Sequence, residues 1–209
     1  MSDCEKKSVY IVLSGNQTLA GSLIRFRTSL KFWNRYQGGR YNHTSISLDE
    51  SLTNMMSFAR KKINNPLCAG LIHENIHTGI FARSGEHSHI AVIKLDVDEK
   101  QFRKLKHYMA YSWENRDYLK YDFGGLFWML LFAQCKPMPN HYVCSHWVSA
   151  LLRKSGIYEG YFPKPWNIRP FDFYDMFREH IIYEGKTKAY TCIDGGEENA
   201  RTNDTLCVL

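Results

Sequence analysis

Asn140-His-Tyr-Val-Cys144-Ser-His-Trp-Val-Ser-Ala-Leu-Leu-Arg-Lys-Ser-Gly156 reads as a helix that begins at a cysteine. Trp147, Val148, Leu151 and Leu152 recur at helical spacing and form one apolar stripe. Arg153 and Lys154 fall where a helix C-terminus favours positive charge, and Gly156 is the stop. Pro137 and Pro139 punctuate the approach. Cys144 therefore falls in the first turn or just before it. A helix start offers unpaired N–H groups and partial positive charge, which favours thiolate, the nucleophilic form. The same N–H groups suit a developing oxyanion. The competing reading is a buried structural cysteine, a common fate for a free thiol.

Working outward, residues 8–14 (with Val-Tyr-Ile-Val-Leu) make a buried strand, and 18–33 carry a helical apolar face. Residues 37–39 turn the chain, and 41–48 alternate as a strand, with His43 and Thr44 defining its two faces at the start. Asp49 and Glu50 turn it into a second hairpin strand over 54–61. Residues 71–83 read as a further strand or an extended loop, and 88–96 as a strand. An amphipathic helix over 98–115 is capped by Asp98 with Gln101 three residues on. Residues 118–125 read as a loop that leads to an apolar core helix over 126–134. Beyond the cysteine helix come a Pro- and aromatic-rich loop (157–170), a short helix (171–179) and a last strand within 181–192. This order predicts an α+β domain, a mostly antiparallel sheet with helices on one side. The whole chain, 1–209, is expected to form one domain with a polar, mobile tail from about 194.

Composition narrows the function classes. Hydrophobic content of 44% supports a core. The net charge of +6 is spread along the chain, so it is compatible with an anionic ligand or a membrane surface and requires neither. Basic residues do not interleave with aromatics in a patch, which argues against nucleic acid. No window approaches the roughly 18 apolar residues of a membrane span, and no leader is seen. Six cysteines without CxxC spacing suggest free thiols in a reducing cytoplasm and no zinc site. His73, His77, His87 and His89 fit no metal-ligand pattern, so neither a metal nor a cofactor is expected.

A cysteine nucleophile needs a base, and the base an orienting partner. Among nine histidines His43 is the best placed, at the start of a strand whose backbone is rigid. A satisfied, half-buried strand histidine is the plain alternative. His180 is the second candidate base. His146, two residues beyond Cys144, points elsewhere on a helix and is read as surface or supporting.

Tyr121-Asp-Phe-Gly-Gly125 followed by Tyr142-Val-Cys-Ser-His-Trp-Val148 resembles the NlpC-type papain-like cysteine hydrolases. There, a Tyr-x-x-Gly-Gly element precedes a Cys-Ser at a helix start. The histidine strand, Tyr41-Asn-His-Thr-Ser-Ile-Ser-Leu-Asp49, lies before the cysteine, which is similar to the circularly permuted branch that includes lecithin–retinol acyltransferase-like enzymes. The resemblance covers roughly 8–160. It implies a papain-like fold, Cys144 as nucleophile and His43 as base. It implies an oxyanion site at the backbone of Cys144 or Ser145, helped by Tyr121. The third member falls at Ser57 by strand position, with Glu74 the acidic alternative. The implied chemistry is cleavage of a peptide-type amide through an acyl-enzyme. Lipid acyl hydrolysis or transfer is the second reading, and a non-catalytic interaction module on the same fold the third. The partner would be a small-molecule, peptide or lipid substrate.

Overall fold

The computed structural model describes residues 6–15, 41–62, 65–79, 81, 88–125 and 137–190. The expected helix at 18–33, the turn at 37–39, the apolar segment 126–134 and the tail from 194 lie outside them, as does His87.

The architecture is α+β, built on a six-stranded sheet. Its strands are β1 (Lys7–Gly15), β2 (His43–Ser47), β3 (Met55–Lys62), β4 (Asn65–Glu74), β5 (His89–Val97) and β8 (Ile181–Lys186), in the order β4-β3-β2-β1-β5-β8. Every pairing in it is antiparallel. A separate two-stranded parallel pair joins β6 (Lys120–Tyr121) to β7 (His141–Tyr142). The helices are α1 (Glu99–Glu114), α2 (Cys144–Ser155) and α3 (Pro170–Met176).

β1 is the inner strand that the unbroken apolar run predicts. Val9, Ile11 and Leu13 enter one core cluster while Tyr10 and Val12 enter the other, so both faces are covered. The first cluster takes Leu105 and Met109 of α1, Trp147, Val148, Leu151 and Leu152 of α2, and Phe173 and Tyr174 of α3. The described helices therefore pack on one side of the sheet. The second cluster, with Leu52, Met55, Ile76 and Phe81, covers the opposite face. Among the described residues no helix is long and apolar enough to cross a membrane.

Several boundaries differ from those read in the sequence. β4 starts at Asn65 and ends at Glu74, earlier than the expected 71–83. It is an edge strand, where Pro66 is tolerated because ladder bonds are needed on one side only. The expected loop 118–125 contains β6 and a helical start at 123–125. The loop 157–170 carries two 3-10 turns, Glu159–Tyr161 and Pro165–Asn167. The helix after it ends at Met176, and β8 stops at Lys186.

Candidate active site

α2 begins at Cys144 because Val143 is extended (φ −101°, ψ 169°) and Trp147 N–H bonds the Val143 carbonyl at 3.0 Å. Valine has no side chain that can cap a helix, and no acidic residue stands in the first turn. The first N–H groups and their partial positive charge are thus left unneutralised by any cap beside the thiol. The other end of α2 is firmly closed. Gly156 is left-handed (φ 74°), Ile157 N–H bonds Leu152 O at 2.9 Å, and Gly156 N–H bonds Arg153 O at 3.0 Å. Ile157 is buried against the core, completing a Schellman cap.

His43 opens β2, paired with Ser14 of β1. Residues alternate along a strand, so His43 and Ser45 share one face while Thr44 and Ile46 share the other. The register Met55↔Glu74 and Ser57↔Ile72 carries Glu74 of β4 to the face of Ser57 and Ser45. There Glu74 meets the imidazole, with both carboxylate oxygens 3.1 Å from His43 Nε2. Ser45 Oγ donates to Glu74 Oε2 at 2.5 Å and lies 3.2 Å from His43 Nε2. The Cys144 thiol lies close enough to the same ring to raise the imidazole's pKa. With Nε2 occupied, Nδ1 is the nitrogen available to the sulfur.

Burial alone would depress the His43 pKa. The Glu74 carboxylate opposes that and wins, with help from the Cys144 contact, so the imidazole is held well above its ordinary value. Burial would likewise raise the Glu74 carboxyl. The His43 charge overrides it, aided by hydrogen bonding from His43 and Ser45, and keeps Glu74 below the usual carboxylate range. The favoured state is an imidazolium–carboxylate pair, with Glu74 buried and His43 partly exposed.

Of the two side chains considered for the third position, Glu74 is the one brought to the imidazole. Ser57 is fully buried, and its Oγ has no hydrogen-bond partner. Ser145 is buried, and its hydroxyl is committed to Ile168 O at 2.7 Å, leaving only its backbone N–H for a ligand. Tyr121 lies in β6 close to the thiol. Burial and then the charge at Cys144 push its pKa up, so the phenol remains an O–H donor.

Other histidines stand elsewhere. His146 is buried, not on the surface. It rests against the Tyr142 ring at 4.7 Å, and burial drives its pKa down to about 4, so it stays neutral. His180 packs on Tyr158 and Phe177 in the turn before β8 and is not brought to Cys144. His73 bonds Asn54 at 2.6 Å and meets the Trp113 ring, His77 is exposed, and His89 contacts Tyr41. Among the described residues no three metal-ligating side chains gather.

Two features escape a reading of the sequence. Asp122 accepts from Gly125 N–H at 2.7 Å and caps the helical start at 123–125. A Cβ at Gly125 would collide with that carboxylate, which explains the second glycine of Tyr121-Asp-Phe-Gly-Gly125. Along α2, Ser145 and Arg153 donate to the carbonyls of Ile168 (2.7 Å) and Pro163 (3.1 Å), and between them Ser149 Oγ lies 2.9 Å from Pro165 O while also within 2.8 Å of Ser145 O in its own helix. Spaced four residues apart, they share one face of the helix and stitch the following loop to it in antiparallel sense. The spacing 145, 149, 153 is visible in the sequence, but its partners are backbone and leave no residue-type signal.

No family model matches the chain, and no match was found among curated proteins or solved structures.

Proposed function

We propose that this protein is a cysteine hydrolase of the papain-like, NlpC-type class in circularly permuted order, working through an acyl-enzyme on Cys144. One observation carries the reading: a cysteine at an uncapped helix start stands within reach of an imidazole whose Nε2 is bonded to a buried carboxylate. Each part has a role in acyl transfer. His43 holds the thiol's proton as the imidazolium, and the thiolate sulfur attacks the carbonyl carbon. N–H groups at the start of α2, with the Tyr121 hydroxyl, receive the oxyanion. The imidazolium returns its proton to the leaving group, and water attacks the thioester in the second half. Glu74 orients the imidazole and stabilises its charged form while the ring holds the proton.

A peptide-type amide is the favoured substrate class, with a lipid ester as the second. The interaction-module reading drew its support from a missing carboxylate, and Glu74 removes that support. The test is incubation with an activated acyl ester, p-nitrophenyl acetate, followed by mass spectrometry of the intact chain. An acetyl adduct on Cys144, absent in His43→Ala, is the expected result. Hydrolysis that persists in Cys144→Ala would overturn the mechanism.

A further inference from the structure

The Glu74 contact has a geometric weakness. A single Nε2–H faces two carboxylate oxygens at the same distance, 3.1 Å. A shared proton of this kind resists rotation of the carboxylate less well than one bond to one oxygen. The strand supplies a second restraint. Ser45 is fully buried, two residues after His43 on the same face. Its hydroxyl has one proton, and the 2.5 Å contact assigns that proton to Glu74 Oε2. Its lone pairs then point back to Nε2–H at 3.2 Å.

We propose that Ser45 is the positioning residue of this site: it pins one oxygen of Glu74 and so holds the Nε2 proton of His43 on the carboxylate side, leaving Nδ1 to serve Cys144. The inference rests on the reading of Cys144 and His43 as nucleophile and base. The chemistry follows directly. When the imidazolium gives up a proton to a leaving group, it gives the one on Nδ1, because the other is held by Glu74. Without the Ser45 hydroxyl, the buried carboxylate loses a donor and is free to turn. The Nε2 proton is then held less tightly, and the neutral ring can keep its proton on either nitrogen.

The experiment uses the full chain labelled with [15N]histidine, with the His43 signals identified by their loss in His43→Ala. In the wild type the Nε2-bound proton is expected as a resolved, downfield, slowly exchanging signal. Ser45→Ala should broaden it or move it upfield in a protein that stays folded by circular dichroism, and iodoacetamide labelling of Cys144 should slow about tenfold, the scale of one hydrogen bond to a charged group. Ser45→Thr, which keeps the hydroxyl, should recover both. A Ser45→Ala protein with the wild-type signal and labelling rate overturns the proposal. So does a folded Ser45→Thr that behaves like Ser45→Ala. Failure of the underlying reading looks different: wild-type Cys144 would label no faster than free cysteine and would ignore His43→Ala, whatever the nitrogen spectrum shows.

Discussion

The helices α1 and α2 begin in opposite ways. At α1, Asp98 accepts from Gln101 N–H at 2.7 Å, and the Gln101 side chain accepts from Asp98 N–H at 3.1 Å. Glu99 adds negative charge to the first turn. Two N–H groups are satisfied and the dipole is neutralised. At α2 the corresponding position is Val143, with neither cap nor acid. A missing cap costs a helix about 1 kcal/mol. α2 offsets it elsewhere, through its Schellman end, its buried stripe and its bonds to the 163–168 carbonyls. A helix held by packing can leave its start open for a ligand, whereas one on the surface closes it.

The contrast can be broken in steps. The largest effect is expected from Cys144→Ala, which should abolish the acyl adduct while far-ultraviolet circular dichroism stays native, because a buried thiol is exchanged for a small apolar group. Next comes Glu74→Ala. Removing one partner of a buried ion pair should destabilise the protein by about 3 kcal/mol near neutral pH, measured by urea unfolding. The pH dependence has a defined sign. Glu74 titrates below its unfolded value, so its contribution is present above that value and lost as pH falls through the depressed pKa. His43 titrates above its unfolded value, so its contribution is present below that value and lost as pH rises through the raised pKa. The gap between wild type and Glu74→Ala should therefore be widest between those limits and narrow on both sides. An unchanged gap across the range would mean that the pair is not charged in the folded state.

Smaller effects sharpen the comparison of the two starts. Asp98→Ala should cost about 1 kcal/mol and leave Cys144 labelling untouched. Val143→Asp should do the reverse, stabilising the fold by up to about 1 kcal/mol as a new cap while slowing iodoacetamide labelling, because the added carboxylate takes up the N–H groups and repels a thiolate. Should Val143→Asp label as fast as the wild type, the open helix start would have no part in reactivity.

Local rules made much of this legible in the sequence. The capping box at Asp98, the stop at Gly156, the inner strand β1 and the placement of Cys144 at a helix start all depend on residues within one turn or one strand. Glu74 depends on register. Its identity as the partner of His43 is fixed by how β4 aligns with β3, and that pairing includes an irregularity between Arg60 and Lys62. A slip of one residue would turn Glu74 to the other face, and no local pattern specifies it. Strand position favours Ser57, which lies on the same face, but its Oγ finds no hydrogen-bond partner. The pair β6 and β7, two residues each, is below the length at which alternation can be recognised. The buried state of His146 follows from Tyr142 and α2 packing, which a polar residue type conceals.

The stitching of Ser145, Ser149 and Arg153 to the loop has a consequence for how this cleft can diversify. Eight helical residues rise about 12 Å, and the loop runs back along them from Pro163 to Ile168. One residue inserted or deleted between those points would throw the Ser145 or the Arg153 bond out of step. Relatives of this chain are thus expected to vary this wall by exchanging side chains at constant length, while insertions accumulate outside the stitched span.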